Sequence, residues 1–196
     1  MSIIGKMQDW PLTVNKVIEH AKINYPRQRV VTRTVEGPIV ETNYSEIHDR
    51  AKQVSNALKA DGIQLEDRVA TLAWNTARHM ETWFGAMGIG SVLHTINPRL
   101  HPDQIAWIAN DAEDKVLFVD LTFVPLLEAV KDKFETVKRF VIYCDAAHLP
   151  ETTLENVVAY EDYIAGQSLD CTWGDFPETT ACGLCYTSGT TGNPKG

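Results

Sequence analysis

The sequence predicts an α/β fold: a mostly parallel sheet with helices on both faces, preceded by a helix and a β-hairpin. Three observations carry this. From about Arg68 onward, short apolar and β-branched runs alternate with amphipathic helical stretches, the pattern of βαβ units. Those runs are apolar throughout rather than at every second residue, as in strands covered on both sides. Ahead of them stand one helical pattern and two β-rich runs flanking Glu36-Gly37-Pro38, a turn signal between strands.

Residues 12–25 read as the opening helix, with Thr13 as N-cap and Val17, Ile18, Ala21 and Tyr25 near one face. Pro26 stops it. Residues 29–35 and 39–44 form the hairpin. The clearest helix spans 45–61: Ser45 caps it, Ile47, Ala51, Val54 and Leu58 recur every three or four residues, and Gly62 follows where a left-handed residue is wanted. A strand at 68–74 leads to a helix at 76–87 capped by Asn75. Another strand spans 91–96, and Pro102 opens a helix that runs through Ala112. Residues 115–120 are a strand, 122–133 a helix and 139–143 a strand. Residues 150–176 are less regular, with one helical turn around 157–164.

The 196 residues are enough for one domain with a sizeable core, and 44% hydrophobic with 22% charged residues suits a globular chain. Eighteen basic against 26 acidic residues leave a net charge of −8, against a nucleic-acid-binding surface, which normally carries a basic excess. No run approaches the 18 or so apolar residues of a membrane span. The first ten residues lack a signal peptide's apolar stretch. A cytoplasmic location is the default expectation.

Cys182-Gly-Leu-Cys185 has the CxxC spacing of redox and zinc sites. It falls in a stretch, 181–186, that reads as a short buried strand, where side chains three apart face opposite ways. These cysteines are therefore expected to be small buried apolar residues. Trp74, Trp83 and Trp107 are expected to pack in the core, His79 to be an exposed helix residue, and His101 a helix cap. In the loop after the 91–96 strand, Asn97 and Pro98 should set a turn, with Arg99 paired to a carboxylate such as Asp103. Glu113-Asp114 reads as a solvated turn.

The chemistry concentrates in the last eleven residues, Tyr186-Thr-Ser-Gly-Thr-Thr-Gly-Asn-Pro-Lys-Gly196. Glycines let a backbone turn tightly and approach a ligand. Successive N–H groups in such a turn form an anion-binding concavity. Hydroxyls can meet phosphate oxygens or magnesium, and lysine adds a point charge. This is a loop for a polyphosphate, at the carboxyl end of a predicted strand, where open α/β sheets bind ligands. It is not a Walker A loop. Counting from Gly189, Pro194 stands where that loop needs glycine and Gly196 where it needs Ser or Thr.

The string matches [YF]TSG[ST]TGxPKG at every defined position. It resembles the signature of the adenylate-forming superfamily, which includes acyl-CoA synthetases, peptide-synthetase adenylation domains and firefly luciferase. The resemblance implies that Thr187, Ser188, Gly189, Thr190, Thr191, Gly192, Asn193, Pro194 and Lys195 hold the β- and γ-phosphates of ATP. By the same resemblance, Thr187 meets Mg²⁺ and Lys195 is catalytic, steadying the departing pyrophosphate. Upstream, Arg68-Val-Ala-Thr-Leu-Ala-Trp-Asn75, Val92-Leu-His-Thr-Ile-Asn-Pro-Arg-Leu100 and Asp111-Ala-Glu-Asp-Lys-Val-Leu-Phe-Val-Asp120 look like one acyl-CoA synthetase branch. That branch includes medium-chain and 3-methylmercaptopropionyl-CoA ligases.

The implied activity is ATP-dependent conversion of a fatty, short- or medium-chain or methylthio acid to acyl-AMP and then acyl-CoA, with coenzyme A as co-substrate. A homodimer is compatible with it. The resemblance places the adenine pocket, a glutamate ligand to magnesium, the acyl pocket and a C-terminal lysine after Gly196. Residues 1–196 are thus expected to be the N-terminal portion of the large domain, truncated at the end of the phosphate loop and inactive alone. Alternatives are a peptide-synthetase-like or luciferase-like enzyme, a non-catalytic polyphosphate-binding module, and an interaction domain with a Gly/Thr tail.

Overall fold

The computed structural model describes residues 10–187 and 193–196. Helix α1 spans Asn15–Asn24. Strands β1 (Arg29–Arg33) and β2 (Ile39–Asn43) pair antiparallel as the expected hairpin. Helix α2 (Tyr44–Ala60) follows without a linker, because Asn43 is still extended and its side chain accepts the Glu46 N–H at 3.0 Å. The N-cap is therefore Asn43, not Ser45. Ile47, Ala51, Val54 and Leu58 are buried as the periodicity predicts, and Gly62 closes the helix at φ 82°, a conformation costly for any residue with a Cβ. For α1 the expectation is corrected. It has no side-chain cap, Thr13 offers only its carbonyl to Lys16, and Val17 and Tyr25 are exposed while Ile18 is buried.

The main sheet contains β3 (Arg68–Leu72), β4 (Val92–Thr95), β5 (Val116–Val119), β6 (Arg139–Ile142), β7 (Val157–Ala159) and β8 (Gly183–Leu184). Its order is β7-β6-β5-β3-β4-β8, with every pairing parallel. Its helices are α3 (Ala77–Gly88), α4 (Pro102–Asp111), α5 (Val124–Glu128) and α6 (Tyr160–Ile164).

Alternation along the strands divides the core into two layers. Val116 and Phe118 of β5 pack with Val54, Leu58, Ala86 and Tyr160 from α2, α3 and α6. Leu117 and Val119 face the other way, against Ile105, Ile108, Val124 and Leu127 from α4 and α5. Helices thus cover both faces of a parallel sheet, the predicted fold class, and a strand with no polar side has no other stable environment.

Two caps differ in their accuracy. Thr76, not Asn75, caps α3 by accepting the His79 N–H. His101 caps α4 as expected, in a reciprocal box with Gln104. The expected helix 122–133 is broken into a 3₁₀ turn, the short α5 and a second 3₁₀ turn; the Lys133 carbonyl bonds to the Asn110 side chain instead of continuing a helix. The expected helical turn at 157–164 is half strand: β7 adds to the sheet edge before α6 begins.

Candidate active site

The chain order of the sheet fixes where a ligand can sit. β3 is followed by α3 on one face and β5 by α5 on the other, so their adjacent carboxyl ends open a crevice at a topological switch point. β8 pairs with β4 on its outer side. The segment read as a phosphate loop leaves β8 directly, at this end of the sheet.

Its two described ends are pinned together. The Thr187 N–H donates to the Lys195 carbonyl at 2.9 Å, and the Lys195 N–H donates back to Thr187 at 3.2 Å. The Thr187 hydroxyl also reaches the Lys195 carbonyl at 3.2 Å. Residues 187 and 195, far apart in the motif, are thus joined as an antiparallel bridge. Lys195 and Asn193 are exposed and Pro194 is half-buried. Ser188, Gly189, Thr190, Thr191 and Gly192 lie outside the described residues. Gly196 is packed so closely that a Cβ there would stand 2.9 Å from Tyr186 Cζ, which only glycine avoids without movement.

Tyr186 anchors the first residue of the loop. Its hydroxyl donates to Asp111 Oδ2 at 2.7 Å, at the end of α4. Its ring lies against His94 of β4, centroids 5.1 Å apart, and edge-on to Trp107 of α4 at 6.4 Å. Burial, reinforced by Asp111, pushes the phenol well above its usual range, so it keeps its proton and donates.

The crevice wall carries a perturbed carboxylate. Asp120, just past β5, accepts the Trp74 N–H just past β3. Burial raises its pKa to about 6, against the opposing effect of that hydrogen bond. Further along the same edge is a cavity of about 260 Å³, lined by Glu36, Arg50, Arg78, Glu81, Asp120 and Glu161 among others. Arg50 pairs with Glu81 at 2.9 Å and Glu161 at 3.1 Å, while Arg78 pairs with Glu36 at 2.6 Å and Glu161 at 2.8 Å. The sequence reading missed this network, although a signal exists. Arg50 stands three residues after Ile47 and four before Val54, on the core-facing stripe of α2, an unusual place for a charge without a partner.

Several expectations about single residues are corrected. His79 is buried, 7% exposed: its Nδ1 lies 3.1 Å from the Trp74 carbonyl and its Nε2 takes the Trp83 indole N–H at 2.9 Å. Burial lowers its pKa to about 4, so the ring is neutral. Trp74 and Trp83 are 50% and 41% exposed rather than core residues; Trp107 is partly buried against the α4 layer. Cys182 and Cys185 are exposed, because β8 is two residues long and sits at the sheet edge. Asn97 does set the turn after β4, accepting the Arg99 N–H, but Asp103 pairs with Lys133 at 2.8 Å rather than with Arg99. Of the supposed solvated turn, only Glu113 is exposed. Asp114 is fully buried against His94.

Among the described residues no group of three or more His, Cys, Asp or Glu could hold a metal. Magnesium bound with a nucleotide needs few protein ligands, however, since phosphates and water fill most of its octahedron.

Comparison with known proteins shows the family. The family model described as "AMP-binding enzyme" matches residues 18–196. The chain is 41% identical over 194 residues to a 3-methylmercaptopropionyl-CoA ligase of Ruegeria pomeroyi, covering 99% of this chain and 36% of that protein. It is 38% identical over 194 residues to a medium-chain-fatty-acid–CoA ligase of Ectopseudomonas oleovorans, with the same coverage. Among solved structures, an anthranilate CoA ligase in complex with anthranoyl-AMP superposes with a TM-score of 0.80 at 26% identity, over 96% of this chain and 35% of that one. The chain therefore spans about a third of the length of the relatives it matches. With a parallel sheet, a pinned Thr187–Lys195 loop at its carboxyl edge and the family model matched over nearly its whole length, the chain belongs to the AMP-binding enzyme family.

Proposed function

We propose that the whole protein is an AMP-forming acid–thiol ligase, converting a carboxylic acid to its acyl-CoA through an acyl-adenylate. The acid is a fatty, short- or medium-chain or methylthio acid, as the names of the two similar ligases suggest. The observation that carries the reading is the loop closed by the mutual Thr187–Lys195 bridge at the end of β8.

In the first step a substrate carboxylate oxygen attacks the α-phosphorus of ATP, and the bond to the bridging oxygen breaks, releasing pyrophosphate. In the second, the coenzyme A thiolate attacks the acyl carbonyl carbon and AMP leaves with the bonding pair. Reactions at phosphorus depend mainly on positioning and charge neutralisation. The segment 187–195 supplies both on the pyrophosphate side. Lys195 brings a cation on a flexible stem, and its backbone is held by Thr187 rather than free to swing. The Thr187 hydroxyl is a hard oxygen donor suited to Mg²⁺, which would neutralise phosphate charge when bound with ATP. The same reading makes the protein cytoplasmic, with a homodimer as the assembly to look for by light scattering.

Acid-dependent exchange of labelled pyrophosphate into ATP by the whole protein tests the reading. Lys195→Ala and Thr187→Val are expected to slow exchange by about 10²–10³-fold, the usual scale for losing a group that stabilises developing charge. Unchanged exchange in both variants would overturn it. ATP binding without exchange for any acid would favour the polyphosphate-binding module, and transfer to a carrier domain rather than to coenzyme A a peptide-synthetase-like enzyme.

A further inference from the structure

We propose that the buried His94–Asp114 pair is a positioning device for the phosphate loop: it fixes the ring of Tyr186, and through Tyr186 the Thr187–Lys195 bridge. His94 lies on β4 and Asp114 just ahead of β5, both with no solvent exposure. His94 Nδ1 is 2.7 Å from Asp114 Oδ2. Neither His94 Nε2 nor Asp114 Oδ1 has a hydrogen-bond partner among the described residues.

Such an arrangement is a weak source of net stability. An unpartnered buried polar atom costs about 1–3 kcal/mol, and a well-packed apolar pair of similar volume is usually no worse than a buried charge pair. What the pair does have is a neighbour with a job. The imidazole forms one wall of the Tyr186 seat, the indole of Trp107 a second, and Asp111 accepts the hydrogen bond of the phenol at the far end. The carboxylate of Asp114 holds the imidazole in one orientation through Nδ1, as second-layer carboxylates hold functional histidines elsewhere. The ring of Tyr186 is held at three points, and the next residue, Thr187, forms the bridge to Lys195. Burial raises the pKa of Asp114 and the His94 hydrogen bond opposes that shift, so its carboxylate depends on the histidine in turn.

This inference rests on the proposed phosphate-loop role, and the test separates the two. Steady-state kinetics on the whole protein are compared for Asp114→Asn, His94→Gln, Lys195→Ala and, as a stability control, Val141→Ala in the core of β6. A positioning role predicts that Asp114→Asn and His94→Gln raise KM for MgATP about tenfold, leaving KM for the acid within twofold. Val141→Ala should lower Tm comparably and leave KM for MgATP unchanged when assayed well below its Tm. In addition, Asp114→Asn and Tyr186→Phe should be non-additive in KM for MgATP, since both act on one seat. If Asp114→Asn and His94→Gln shift Tm alone, as Val141→Ala does, while Lys195→Ala still weakens ATP use, the positioning role is wrong and the phosphate-loop reading stands. If Lys195→Ala leaves ATP use intact, both fall. Should Asp114→Asn not fold, His94→Gln decides by the same comparison.

Discussion

Asp120 Oδ2 accepts the backbone N–H of Trp74 at 2.5 Å, tying the carboxyl ends of β5 and β3 together across the switch point. The bond retains a carboxylate in a buried position, where its pKa rises from 3.8 to about 6. Because the folded state binds this proton more tightly, Asp120 alone makes stability fall as pH rises from about 4 to 6. His79, five residues from Trp74, acts in the opposite sense. Its pKa drops from 6.5 to about 4, so stability is lost as pH falls through that window. Each effect is about 3 kcal/mol at 1.4 kcal/mol per unit, and they largely cancel.

Asp120→Asn should separate them. Above pH 7 the variant lacks the cost of a buried charge and should be more stable than the parent by about 1–3 kcal/mol. At pH 4 the difference should vanish, and between those values the variant should lose stability on acidification through His79. Urea unfolding at pH 4, 5, 6 and 7.5 measures this, and a difference that does not depend on pH would contradict the assignment.

The Arg50–Glu81 pair gives a second prediction. Glu81 is nearly without exposure and also accepts the Tyr160 hydroxyl at 2.7 Å. Arg50→Met leaves this carboxylate without its cation and should cost about 3–5 kcal/mol, whereas Arg50→Met with Glu81→Leu should recover most of it. Equal losses in single and double variants would show that packing rather than charge is responsible.

A third concerns the start of α2. Asn43→Ala removes the side-chain acceptor for the Glu46 N–H and should destabilise by about 1 kcal/mol. Ser45→Ala, at the position the sequence favours, should change stability by less than about 0.5 kcal/mol. The reverse ranking in thermal melts would restore Ser45 as the cap.

Thiol chemistry checks the edge position of β8. Cys182 and Cys185 are exposed, while Cys144 is buried with its thiol pushed up to about 12 by desolvation. The 196-residue chain treated with iodoacetamide should alkylate Cys182 and Cys185 well before Cys144, since the thiolate is the reactive form. Mass spectrometry of digests would locate the label; preferential reaction at Cys144 would contradict the edge position of β8.

Much of the molecule was legible in the sequence because its signals are local. Apolar strand runs, the 47-51-54-58 stripe of α2, Pro102 after a capping His101 and the glycine after α2 all report through neighbours within a few residues. The Thr/Ser/Gly/Lys string of 186–196 is equally local, and its placement after a strand follows from chain order. Buried polar residues were the main misreading. His79 and Asp114 look like surface residues in sequence, yet each is buried against a partner on another element: Thr71 of β3 for the first, His94 of β4 for the second.

The sequence by itself determined the alternation of strand and helix, the two-sided apolar character of the strands and the hydroxyl-, glycine- and lysine-rich composition of 187–195, because side-chain pattern and backbone propensity act over short spans. Only the tertiary structure decided strand order, which brings β8 beside β4, and with it the seat of Tyr186 among His94, Trp107 and Asp111. Contacts between residues as far apart in the chain as Tyr186 and His94, Trp107 or Asp111 carry no periodic trace in it. They arise when apolar burial on both faces of one sheet selects which edges meet.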